Sequence, residues 1–246
     1  DDVVDDSHER RGRASANAVF GNQASVLVGD FLFTRAFELM VADGSLDVLR
    51  VLSKASATIA EGEVLQLVTT NDLDTTEDQY LDVISGKTAV LFAAACEVGG
   101  LVANAPDTQV KALRSFGHNL GMAFQLIDDV LDYAANRQDW GKEIGDDFRE
   151  GKMTLPVVLA VQQAKANNDQ QQLDFWQRTI GDLQQSDDDL THALDLLDKG
   201  GFLTAAREKA QAFASDAVAA LAAFDAEAPA RGLLQDAAMA SVNRHY

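Results

Sequence analysis

The chain has 246 residues, 47% of them hydrophobic, enough to bury a substantial core, and no linker-like stretch divides it, so one domain over 1–246 is expected. A formal net charge of −19 argues against nucleic-acid binding and against attraction to anionic membranes, both of which need clustered Lys and Arg. No apolar run of about 18 residues and no signal-like start suggest a spanning segment or export, and the lone Cys96 excludes an intramolecular disulfide, which fits a cytoplasmic setting.

Only three prolines occur (Pro106, Pro156, Pro229), Ala and Leu are abundant, and alternating β-branched runs are scarce, which together predict an all-α protein. The first segment is Asp1-Asp2-Val3-Val4-Asp5, followed by Arg10-Arg11-Gly12. Helices are then expected over 15–40, where Ala18, Leu27, Phe31, Leu32 and Phe37 recur at i, i+3 and i+4 spacings, and over 45–68, 77–102 and 107–133. The fourth ends on Asp128-Asp129-Val130-Leu131-Asp132. A Gly-rich, charged loop follows over 141–151, and shorter amphipathic helices over 157–167, 169–184, 188–199, 202–225 and 231–243 complete the bundle.

The two DDxxD segments carry the first functional argument. In an acidic chain a single copy most often lies on a solvated face, but two copies, the second beside Phe124, Leu126 and Ile127, read as converging on a cation. Residues four apart on a helix are neighbours, so Asp1 with Asp5 and Asp128 with Asp132 each offer two carboxylates from one face. Carboxylates about 5 Å apart repel by roughly 3 kcal/mol at an effective dielectric near 20, so converging triads need a counter-charge. Mg²⁺ suits them, because it takes one or two carboxylates and fills its other positions with water and phosphate oxygens. A third acidic cluster, Asp187-Asp188-Asp189, lacks the i+4 carboxylate and reads as capping of the helix that follows.

Basic residues are few, and several lie beside these acids. Arg10 and Arg11 follow the first triad, Lys142 and Lys152 flank the loop after the second, and Lys87 stands early in the third helix. Carboxylates that hold Mg²⁺, ringed by Arg and Lys, match the needs of a diphosphate. Gly86-Lys87-Thr88 has the tail of a phosphate-cradling loop, but Leu81 stands where that motif needs glycine. His8, His118, His192 and His245 show no metal-ligand spacing.

These segments, with Gly29-Asp30-Phe31-Leu32, Glu61-Gly62-Glu63 and Gln66, Phe124-Gln125-Leu126-Ile127, Gly145-Asp146-Asp147, Glu150-Gly151-Lys152 and Thr154-Leu155-Pro156, resemble the trans-isoprenyl (polyprenyl) diphosphate synthase family in order and content. The stretch from Ala16 to Asp30 is most similar to the family's bacterial octaprenyl-forming branch, which makes the ubiquinone side chain.

The resemblance implies a homodimeric, single-domain helical bundle with a central active-site cavity. It implies condensation of an allylic diphosphate, such as farnesyl diphosphate, with isopentenyl diphosphate. Asp1, Asp2, Asp5, Asp128, Asp129 and Asp132 would hold Mg²⁺. Arg10, Lys87, Lys142 and Lys152 would support the departing diphosphate, and Arg11 would bind that of isopentenyl diphosphate. Thr88 and Gln125 would place oxygens near the allylic cation.

The family carries helices ahead of its first aspartate motif, including a Gly-Gly-Lys-x-x-Arg-Pro clamp. The chain starts at the motif, so a domain without those helices is expected. Alternatives are a shorter-chain farnesyl or geranylgeranyl synthase and a non-catalytic subunit or inert fragment of a synthase. A terpene cyclase would be expected to replace the second triad with an Asn/Ser/Glu motif.

Overall fold

The computed structural model describes residues 3–4, 8–10, 13–134 and 145–244. Apart from one ribbon, in which Glu9–Arg10 (β1) pairs antiparallel with Arg13–Ala14 (β2), the described residues are helical or connecting. The all-α expectation therefore holds.

The helix predicted over 15–40 is two helices, α1 (Ala16–Phe20) and α2 (Asn22–Asp43), because Gly21 between them has φ 80° and an extended ψ that no helix continues through. Gly44, also at φ 80°, closes α2 in the left-handed conformation. Ser45 caps α3 (Leu46–Thr69) by accepting from the Val48 amide.

The third predicted helix is present over 77–102, but it is not uniform. It runs as α4 (Glu77–Ile84), a π-helical turn (Ser85–Ala89) and α5 (Val90–Val102) without interruption. Thr76 and Gln79 form a reciprocal capping box at its start. The π turn inserts an extra residue into the rod and re-aims Lys87 and Thr88; such turns are frequent at functional sites.

At the centre lies α6 (Asp107–Ala134), packed along α5 on one side and α11 (Phe202–Ala220) on the other. Small residues allow both approaches. A Cβ on Gly117 would run into the Phe92 carbonyl oxygen in α5 and one on Gly121 would stand 2.6 Å from the Ala89 Cα just before it, and Ala206, Ala210, Ala214 and Ala217 form a fully buried stripe on α11 at spacings of four, four and three. Around α6 the core gathers Leu126, Ile127 and Val130, Val157, Val158 and Val161 from α8 (Leu155–Asn167), and Leu197 from α10 (Asp189–Lys199). It also takes Trp176 at the end of α9 (Gln170–Trp176) and Ile180 in the π turn Gln177–Gly181.

The segment predicted as loop contains a short helix, α7 (Asp146–Arg149), and α12 (Pro229–Val242) closes the bundle. No helix among the described residues is long and apolar enough to cross a membrane.

Candidate active site

The rod over 77–102 and α6 meet in a chain of short hydrogen bonds. The Thr88 hydroxyl donates to Gln125 Oε1 at 2.9 Å, and Gln125 Nε2 donates to Asp129 Oδ1 at 2.7 Å. The Tyr80 hydroxyl donates to the other oxygen, Asp129 Oδ2, at 2.7 Å. Gln125 and Asp129 are i, i+4 neighbours on α6, so one helical turn joins the residues expected to face a reacting carbon to one expected to face a cation. Tyr80 and Asp129 are buried, while Thr88 and Gln125 are half-buried at the edge of the core.

Lys87, beside Thr88 on the π turn, is held from α3. Its Nζ donates to Gln66 Oε1 at 2.7 Å and pairs with Glu63 at 2.9 Å. Backbones make this possible: a Cβ on Gly62 would lie 2.5 Å from the Lys87 nitrogen, so only glycine lets α3 come this close. The motif Glu61-Gly62-Glu63 with Gln66 is thus the bed on which Lys87 rests.

The second aspartate triad is not presented as three equivalent carboxylates on one face. Asp128 is exposed, whereas Asp129 is turned to Tyr80 and Gln125. Asp132 accepts from the backbone amides of Asp146 and Asp147 at 3.2 and 3.1 Å, capping α7 from outside. Burial, reinforced by the charge of Asp147, pushes the Asp129 carboxyl up to about 7 and that of Asp132 up to about 8. Asp147, part of the Gly145-Asp146-Asp147 motif, is half-buried, and desolvation raises its carboxyl, although Lys152 at 3.4 Å opposes the shift. Lys152 also pairs with Glu150.

Among the described residues no three His, Cys, Asp or Glu side chains stand together as a ready metal cage. Asp1, Asp2, Asp5, Arg11 and Lys142 lie outside the described residues, and of Arg10 only the backbone, in β1, is described. The structure thus brings together Thr88, Gln125 and Asp129, sets Lys87 beside Thr88, and joins Lys152 to the aspartates through Asp147. Sequence reasoning missed Tyr80. A lone tyrosine 49 positions from its partner carries no spacing signal.

Asp189 differs from the capping expectation in how it acts. It accepts from the Ser186 amide at the start of α10, but its main partner is Arg178, bound through both carboxylate oxygens at 2.7 and 2.8 Å. That pairing, more than burial or capping, holds the Asp189 carboxyl well below the usual range.

The family model for polyprenyl synthetase matches residues 1–197. Octaprenyl diphosphate synthase of Escherichia coli (strain K12) is 56% identical over 161 residues, 65% of this chain and 50% of that protein. The all-trans-nonaprenyl-diphosphate synthase (geranyl-diphosphate specific) of Rhodobacter capsulatus is 48% identical over 180 residues, 73% of this chain and 54% of that protein. The chain spans about half the length of the curated relatives it matches. Among solved structures, a decaprenyl diphosphate synthase from Rhodobacter capsulatus superposes with a TM-score of 0.92 at 50% identity, covering 99% of this chain and 73% of that one. A polyprenyl synthase from Caulobacter crescentus CB15, complexed with calcium and isoprenyl diphosphate, gives a TM-score of 0.93 at 46% identity, over 100% and 73%.

Proposed function

The chain belongs to the polyprenyl synthetase family, and from that membership we propose that it carries the catalytic bundle of a Mg²⁺-dependent prenyltransferase. The reaction is the condensation of isopentenyl diphosphate with an allylic diphosphate, farnesyl diphosphate being the favoured primer. The product is a long-chain all-trans polyprenyl diphosphate, octaprenyl by similarity to the Escherichia coli enzyme, made in the cytoplasm for a quinone side chain. The observation that carries this reading is the unit Thr88, Gln125 and Asp129 with Lys87 alongside, because it sets oxygen acceptors and a cation at one edge of the core.

In the reaction the allylic C–O bond breaks and diphosphate leaves with the electron pair. The isopentenyl double bond closes a new C–C bond, and a proton departs to a diphosphate oxygen. The chain's own groups are suited to each part. Lys87 and Lys152 supply fixed positive charge for the departing diphosphate, in the role expected also of Arg10 and Lys142. Thr88 and Gln125 turn oxygens toward the carbon that becomes cationic. Arg11 is assigned to isopentenyl diphosphate.

The donor set fits a hard divalent cation, because burial and mutual repulsion raise the Asp129, Asp132 and Asp147 carboxyls, and positive charge nearby would relieve both. We assign Mg²⁺ to Asp128, Asp129 and Asp132 with Asp1, Asp2 and Asp5; when bound, it supplies Lewis-acid stabilisation of the departing diphosphate.

The apolar residues that α2 leaves in water, Leu27, Phe31 and Leu32 among them, support a homodimer in which a second copy covers them. The deciding experiment is product analysis by mass spectrometry with Mg²⁺, farnesyl diphosphate and isopentenyl diphosphate. Octaprenyl diphosphate is expected, Asp128→Ala is expected to abolish it without loss of fold, and undiminished turnover by that variant would remove the metal assignment.

A further inference from the structure

Tyr80 is an ionisable side chain in the core whose hydroxyl the reaction above does not use. It is 4% exposed, and its OH donates to Asp129 Oδ2 at 2.7 Å. The remaining links run in one direction. Asp129 accepts at Oδ1 from Gln125 Nε2, which orients the amide so that Oε1 points the other way, and Oε1 accepts the Thr88 hydroxyl hydrogen. With its hydrogen committed to Gln125, Thr88 Oγ1 has lone pairs left to present elsewhere.

Tyr80 and Thr88 lie eight positions apart on one rod, and both reach the same turn of α6, so the bonds form a ring closed by two packed helices. Without the Tyr80 hydroxyl, Asp129 loses one of its two side-chain donors. Its carboxylate can then rotate, and the Gln125 amide loses the partner that fixes its direction.

We infer that Tyr80 is a positioning residue: through Asp129 and Gln125 it orients the Thr88 hydroxyl so that oxygen lone pairs face the developing allylic cation. This rests on the prenyltransferase reading and adds to it a residue, remote from the substrate, that sets the polarity of the site. Because removing the Tyr80 hydroxyl leaves Asp129 its carboxylate and its Gln125 bond, and touches neither Lys87 nor Lys152, it weakens the chemical step more than it weakens substrate capture.

The test is Tyr80→Phe, which deletes one oxygen and keeps the ring. The expected result is a fall in kcat of about tenfold, with KM for both substrates within about twofold. A binding readout accompanies it, using two allylic diphosphate analogues, one with an ammonium centre at the cationic carbon and one with a neutral isostere. Tyr80→Phe is expected to lose affinity for the ammonium analogue alone. In a Thr88→Val background the same substitution should have little further effect on either readout. An unchanged kcat, equal loss of affinity for both analogues, or fully additive losses with Thr88→Val would overturn the inference while leaving an active wild type, and so the prenyltransferase reading, intact. Wild-type protein that neither turns over nor binds either analogue would remove that reading and this one together.

Discussion

Two long helices, α2 and α6, are comparably rich in apolar residues but differ in what surrounds them. The 22 residues of α2 include none that is buried, and Leu27, Phe31 and Leu32 stand more than half exposed. In the 28 residues of α6, buried positions run from Val110 to Tyr133, and Leu126, Ile127 and Val130 are fully enclosed. Apolar content alone therefore does not set where the core forms; neighbours on several sides do. The candidate site is on α6 because a hydrogen-bond chain with links of 2.7 to 2.9 Å needs backbones that cannot drift.

The comparison is broken most severely by a hole in the packing around α6. Phe116, 1% exposed on α6, packs with Ala217, Leu221 and Ala238. Phe116→Ala is expected to destabilise the fold by about 3–5 kcal/mol, read as a shift of the urea midpoint. A midpoint that stays put would mean that α6 is not the packed element the comparison takes it to be.

Overpacking comes next. Gly121→Ala drives a methyl against the Ala89 backbone one residue from Thr88, and is expected to cost about 1–3 kcal/mol and to lower turnover beyond what the lost stability explains. Normal turnover in a folded variant would show that Thr88 tolerates movement of α6 against the π turn.

How legible this was in the sequence varies with the range of the interaction. The boundaries of α3 and α6 were readable within a residue or two, because the Ser45 cap, the acidic first turn at Asp107 and apolar periodicity are local. The π turn was not, since one extra residue leaves the apolar pattern over 77–102 helical, and only its tertiary consequence, Lys87 against Gln66 and Glu63, reveals it. Four residues of α7 are too few to show a period, and their helix depends on Asp132 capping from a distance. Asp129 was found through the repeated DDxxD spacing and Thr88 and Gln125 through the family resemblance, and Tyr80 was missed because it belongs to no quoted motif.

Acidity gives a smaller effect with a definite sign. Burial first, and then the charge of Asp147, pushes the Asp129 carboxyl up to about 7 and the Asp132 carboxyl up to about 8 in the folded chain, well above the usual carboxylate range. The folded state therefore holds these protons more tightly than the unfolded one. The stability they contribute is fully present below about pH 4 and is lost as pH rises toward about 8. In metal-free buffer the Tm is expected to fall by a few degrees between pH 5 and 8, by roughly 2 °C per kcal/mol for a chain of this size. Asp129→Asn should flatten the slope, and added Mg²⁺ should lessen it. A Tm that rises over this window would put the two carboxyls in an environment other than the one described.

The smallest effect on the single chain is expected on α2, and it sharpens the comparison because it separates folding from association. Phe31 is 64% exposed, so Phe31→Asp removes no packing within the chain and should change its folding free energy by less than about 0.5 kcal/mol. A second copy covering α2 makes stability depend on protein concentration, since association acts on the folded state by mass action. The wild-type urea midpoint should therefore rise as the protein is concentrated, and that of Phe31→Asp should not, the two meeting at high dilution. Parallel behaviour at every concentration would mean that the α2 surface is not where two copies meet, and midpoints that differ at high dilution would mean that α2 packs within its own chain after all.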